Sequence, residues 1–265
     1  MEETPFPDLV GGFEVADLVE GQLDVVDPVQ SSIAEKQLRN TYWRLSFRRV
    51  QYGSFHGEPV CLVVVEGRFH AEESKRHRFT WVRISAEFQG EQNPVEVLNL
   101  APERAHGMYV PEERTSHWAI SSTLSVALPG IPVTIDLFNA ELGHSKKYSI
   151  DLIASMQGSK RGFPKAKEAV WTLEEAKQEG IPWRIPSIIV IIKYSPGAGF
   201  FANFNVQAKV NASLNPRSWA VSKASATPVL FDGKAELFPP SEELDSDFTL
   251  LDISKLTKLN FAEDR

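Results

Sequence analysis

From residue 42 onward, apolar and polar side chains alternate with a period of two. Trp43, Leu45 and Phe47 interleave with Arg44, Ser46 and Arg48, and Val82, Ile84, Ala86 and Phe88 interleave with Trp81, Arg83, Ser85 and Glu87. Successive side chains of an extended chain point to opposite faces, so this pattern predicts strands with one buried and one wet face. The same alternation returns at Trp118, Ile120 and Leu124, at Val133, Ile135 and Leu137, and at Tyr148, Ile150, Leu152 and Ala154. Gly53, Gly57, Gly90, Pro129-Gly130, Gly143 and Gly158 punctuate these runs at short intervals. The expected fold class is all-β: an antiparallel β-sandwich, either C2-like or a partly closed barrel.

Two runs break the alternation. Residues 60–65 and 188–192 are continuously apolar. After the second, Ser195-Pro196-Gly197-Ala198-Gly199 leads into Ala202, Phe204, Val206, Ala208 and Val210, which alternate with polar residues. That predicts a hairpin turn rather than a nucleotide loop. A dinucleotide fingerprint would open a helix, and a P-loop would end in Gly-Lys-Ser/Thr, which is absent here.

Helical signals are confined to short stretches. Ser32 and Glu35 have capping-box spacing, in which a hydroxyl and a carboxylate satisfy free backbone donors, and predict a short helix over 32–40. Residues 174–179, bounded by Gly180 and Pro182, predict a turn or two of helix. Leu250, Leu251, Ile253, Leu256 and Leu259 predict a short terminal helix docked on the sandwich. The expected organisation is an acidic arm and short helix over 1–40, a β-sandwich over 41–235 and a tail over 236–265.

Composition narrows the partners. The 265 residues are 42% hydrophobic, enough for a substantial core, and carry a net charge of −7. A negative field disfavours nucleic acid and anionic membranes, so neither nucleic-acid binding nor membrane insertion is expected. The longest pure apolar run, 188–192, is far below spanning length. The acidic opening MEETPFPDLVGG lacks the basic and apolar regions of a secretory signal, which predicts a cytoplasmic protein and leaves the Asn211-Ala212-Ser213 sequon idle. The single cysteine, Cys61, reads as a small buried hydrophobe rather than a nucleophile.

Metal and hydrolytic chemistry find no assembled motif. His56, His70, His77, His106, His117 and His144 are scattered without zinc-ligand spacing, and Asp245-Ser246-Asp247 is a lone close pair of acids in an acidic tail. There is no Gly-x-Ser-x-Gly elbow. Basic clusters at Lys75-Arg76-His77-Arg78 and around Lys160-Arg161, Lys165 and Lys167 read as solvated loops. No metal or cofactor is expected.

Some longer motifs carry a resemblance. Trp171-Thr172-Leu173-Glu174-Glu175 followed by Gly180-Ile181-Pro182, then Pro228-Val229-Leu230-Phe231-Asp232, and Leu100-Ala101-Pro102-Glu103 before Gly107, resemble a family of filamentous-fungal proteins over roughly residues 40–235. Glu175 stands where that family has Asn. Some proteins of this kind belong to natural-product pathways, and one type looks like a cofactor-free, Diels-Alderase-type cyclase that folds a terpenoid into a norbornene by a [4+2] reaction. The resemblance implies an apolar terpenoid or polyketide substrate in secondary metabolism.

The residue types can be matched to that chemistry. Six Trp and sixteen Phe can wall a pocket as well as fill a core. A pericyclic catalyst must hold diene and dienophile in a near-attack arrangement, with a donor to polarise a conjugated carbonyl. Arg83, His117, Lys193 and Tyr194 are the candidate donors, and Trp43, Trp81, Trp118 and Trp171 the candidate walls. A non-catalytic, C2-like binding or adaptor sandwich fits the same patterning, as does a carbohydrate-binding sandwich with exposed aromatics; homo-oligomers are compatible with each.

Overall fold

The computed structural model describes residues 32–38, 40–71, 77–90, 94–110, 115–120, 127–128, 131–132, 151–176, 178–212, 220–225, 227–238 and 244–257. The expected N-terminal arm over 1–28 lies outside them.

The protein is a β-sandwich of antiparallel sheets. The smaller sheet has five strands in the order β1 (Ser32–Leu38), β2 (Thr41–Phe55), β3 (Glu58–Ala71), β12 (Ile188–Lys193) and β5 (Glu96–Ala101). The larger runs β14 (Ala220–Ser225), β13 (Phe200–Ala212), β4 (His77–Gly90), β11 (Glu168–Glu175), β10 (Asp151–Arg161), β6 (Arg104–Val110) and β7 (Thr115–Ile120), with β15 (Val229–Phe231) also paired to β13. A separate two-stranded pairing joins β8 (Ala127–Leu128) to β9 (Ile131–Pro132).

Period-two patterning sets the faces. In β4, Val82, Ile84, Ala86 and Phe88 are buried between the sheets, while Trp81, Arg83 and Ser85 are only partly covered. In β2, Trp43, Leu45 and Phe47 enter the same core. Aromatic rings fill much of it: Phe47 meets Phe204 edge-on at 5.7 Å, and Phe200 stacks on Phe231 at 4.8 Å.

The continuous apolar runs are explained by a second core. Cys61, Val63, Val65, Ile188, Val190 and Ile192 face the space between the sheets. Val60, Leu62, Val64, Ile189 and Ile191 face the other way, where Phe248 and Ile253 of the C-terminal segment cover them. Both faces of β3 and β12 are dry over this stretch, so neither retains polar positions. The segment is anchored along the β2 edge: Val50 and Leu237 exchange backbone hydrogen bonds, Ser54 donates to Ser246 O at 2.8 Å, and Phe248 donates back to Ser54 O at 2.8 Å. An edge that would otherwise offer unpaired backbone groups is thereby closed.

Five local expectations are corrected. Residues 32–38 form β1 rather than a helix, paired from Leu38↔Thr41 to Ser32↔Ser46. Ladder bonds to the β2 edge outweigh the local capping signal, and Glu35 accepts the Tyr42 hydroxyl at 2.7 Å instead of capping a backbone donor. The described residues of 174–179 hold no helix: β11 continues to Glu175, and Gln178 and Gly180 beyond it are both at positive φ. Among the described residues of the expected C-terminal helix there is only a 3₁₀ turn, over Ile253–Thr257, and Leu259 lies outside them. Residues 195–199 do not close a hairpin, because β12 pairs with β3 and β5 while β13 pairs with β4, β14 and β15. The loop instead carries the chain from one sheet to the other, and Gly53 and Gly158 sit inside β2 and β10 rather than at turns.

Candidate functional site

The sequence-predicted wall and donor residues fall in separate places. Trp43 and Trp171 are core residues, 0% and 1% exposed, with indole N–H groups that have no partner. Trp81 lies on the outer face of β4, where the Lys209 ammonium sits 5.1 Å from its ring centroid. Arg83, two residues along the same face, reaches Glu168 at 3.6 Å. Lys193 closes β12 and pairs with Glu58 at 2.9 Å. His117 and Trp118 occupy β7 opposite Met108 and Gly107; their side chains lie outside the described residues.

Tyr194 belongs to an aromatic cluster at the sheet-to-sheet crossing. Its ring lies 5.6 Å from Tyr52 and 5.7 Å from Phe200. Burial is the main cause that pushes both phenols above their usual range, and Tyr52, the more buried, is shifted further. Cys61 is fully buried and its thiol is pushed well up by desolvation, which keeps it a protonated, unreactive packing group. Lys193, Tyr194, Trp81 and Arg83 therefore do not share one pocket with Trp43 and Trp171.

A surface cleft of about 280 Å³ opens where β4 begins and β11 and β13 end, lined by Arg78, Thr80, Glu175, Gln178, Lys209 and Asn211 among others. Its centre is an ion pair, Arg78 Nε to Glu175 Oε2 at 2.7 Å, with side chains 11% and 16% exposed. The same carboxylate oxygen accepts the Gly180 N–H at 3.0 Å. Glu175 thus fastens the turn after β11 to the start of β4. Sequence reasoning placed Arg78 in a solvated basic run and treated Glu175 only as a departure from a motif; nothing in their spacing reveals a pair 97 residues apart.

Arg83, Lys193 and Arg78 are each engaged by a carboxylate. Among the described residues there is no group of three or more His, Cys, Asp or Glu side chains that could hold a metal ion. No described helix is long and apolar enough to cross a membrane.

No protein-family model matches the chain, and no curated protein matches it. Distant likenesses to solved structures exist. The Clostridium perfringens NetB toxin in its membrane-inserted form is 10% identical, with a TM-score of 0.34 over 76% of this chain and 92% of that one. A pore-forming protein is 10% identical, with a TM-score of 0.32 over 76% and 88%. Clostridium perfringens delta-toxin is 8% identical, with a TM-score of 0.29 over 75% and 94%. At this level the likenesses carry no assignment of function.

Proposed function

We propose that this chain is a non-catalytic binding or adaptor protein built on a β-sandwich, which works through its surface. The observation that carries this reading is the use made of the aromatic side chains. Trp43, Trp171, Phe47, Phe200, Phe204 and Phe231 pack against one another and their aliphatic neighbours inside the sandwich. Large rings that would wall a substrate cavity are consumed as core, and the cations that would polarise a carbonyl are held by carboxylates.

The other reading, a cofactor-independent Diels-Alderase-type cyclase for an apolar terpenoid, requires Trp and donor side chains around one enclosed space. Trp43 and Trp171 lie in the core between the two sheets and Trp81 on the outer face of the larger one, which favours the binding reading over it. Incubation with a linear diene-bearing terpenoid separates the two. The expected result is the same rate and stereochemical outcome as in buffer. Accelerated, stereoselective cyclisation that disappears on heat denaturation would overturn the surface-binding reading.

A further inference from the structure

The hairpin that joins β10 to β11 ends in an exposed ring. Strand pairing closes at Arg161↔Glu168, and Lys167 donates its backbone N–H to Arg161 O at 2.9 Å, which leaves Gly162-Phe163-Pro164-Lys165 at the tip. Phe163 is 98% exposed there. The returning limb is pinned by the neighbouring strands: Val97 of β5 donates to Ala166 O at 2.7 Å, and Phe88 of β4 donates to Lys167 O at 2.9 Å. Ala166 packs against the main core. Gly162 turns at φ 116°, where a Cβ would lie 2.9 Å from Lys165 O and 3.0 Å from Lys167 N, so this turn is open only to glycine.

The residues around that ring are cationic. Between Asp151 and Glu168 the charged side chains are Lys160, Arg161, Lys165 and Lys167, all exposed, with no acid among them. Lys160 Nζ donates to Leu98 O at 2.6 Å, a neutral acceptor that leaves its charge in place. Lys165 lies 3.5 Å from Glu96 in an exposed pair, which holds it weakly. The carboxylates that pairing brings to the base of the hairpin are Glu96, Glu168 and, opposite Glu168 on β4, Glu87; Arg83 faces Glu168 at 3.6 Å, so cations outnumber acids among these residues.

We infer that the β10–β11 hairpin docks on an anionic lipid bilayer, with Phe163 entering the boundary between headgroups and acyl chains and Lys160, Arg161, Lys165 and Lys167 lying against the headgroups. This rests on the surface-binding reading and names its partner. The contact is interfacial and crosses no membrane. Attraction to a charged surface acts on the local balance of charge within a Debye length of about 8 Å, so it requires no unpaired N–H edge and holds on a chain of net charge −7. A single ring at a projecting tip suits a bilayer, which closes around what enters it, better than a protein partner, whose interface buries about 800 Å² on each side around a central anchor. Single-stranded nucleic acid is held by a groove with successive aromatic platforms, and Phe163 is the one aromatic residue of this hairpin's tip. Because the turn is already fixed, little ordering is lost on docking.

The test co-sediments the full chain at low salt with vesicles of phosphatidylcholine alone and of equal parts phosphatidylcholine and phosphatidylserine. Phe163→Ala, and Arg161→Gln combined with Lys167→Gln, are run beside the parent. All three side chains are exposed, so these variants are expected to melt with the parent, which keeps loss of binding separate from loss of fold. Support is binding to the phosphatidylserine vesicles over phosphatidylcholine alone, weakened about tenfold by Phe163→Ala and about fivefold for each charge removed. Phe163→Trp should keep that binding and gain fluorescence that lipids brominated in their acyl chains quench. No binding by the parent, equal binding to phosphatidylcholine alone, binding untouched by Phe163→Ala or by the paired charge substitutions, or absence of that quenching would overturn the docking; so would a thymidine oligonucleotide bound as tightly as the vesicles and with the same dependence on Phe163. A chain that accelerates diene cyclisation but still binds vesicles through this tip sinks the non-catalytic reading alone.

Discussion

Arg78 and Glu175 meet at 2.7 Å across the first residues of β4 and the last of β11, and the Glu175 oxygen that accepts from Arg78 also accepts from the Gly180 backbone. One carboxylate therefore fixes two strands and the turn that leaves them. With both side chains largely withdrawn from water, its neutral amide counterpart would leave the guanidinium without its ionic partner.

Glu175→Gln is accordingly expected to lower stability by about 2 kcal/mol, the scale of a charge-assisted hydrogen bond that has lost its charge. Urea denaturation checks this through a reduced midpoint at unchanged slope. A midpoint within error of the parent would mean that the pair is solvent-screened and structurally idle.

Gly53 sits inside β2 where the C-terminal segment crosses. A Cβ there would collide with Ser246 O and lie 2.8 Å from the Phe248 ring, with backbone on one side unable to give way. Gly53→Ala is expected to lift the segment and expose the second core, a loss on the order of 3 kcal/mol, comparable to deleting a buried Phe. Limited proteolysis should show early cleavage within 244–257. A variant as resistant as the parent would show that the segment is not held there.

The raised phenols of Tyr52 and Tyr194 define an alkaline limit. Folded, they hold their protons more tightly than in the unfolded chain, whose phenols titrate near 10. Their contribution to stability is complete below that value and is lost as pH climbs above it, because the unfolded state then binds fewer protons than the folded one. The urea midpoint should begin to fall near pH 10, the ordinary phenol value, and keep falling above it, and Tyr52→Phe should flatten the decline. An equally steep decline in Tyr52→Phe would assign the alkaline sensitivity to other groups.

The alternation in residues such as Val82, Ile84, Ala86 and Phe88 was enough to specify strands, their buried face and the sandwich class, because side-chain direction in an extended chain depends only on position parity. The unbroken run at 60–65 was legible as buried strand, but its reason was not: it needs Phe248 and Ile253, which arrive nearly two hundred residues later. Trp43 and Trp81 look alike as letters in alternating strands, and only the packing makes one a core residue and the other a platform for Lys209. Ser32 and Glu35 carry a genuine helix signal, which lost to an available strand edge because ladder bonds to β2 satisfy more of the backbone than one cap can.

Local chemistry and parity, then, were determined by the sequence by itself: strand character, an all-β class, a buried thiol at Cys61 and acidic overall charge. Tertiary structure alone decided that β12 and β13 belong to different sheets and that Glu175 finds Arg78. These are relations between residues far apart in the chain, and they are set by strand register and sheet order, which no single stretch of side chains encodes.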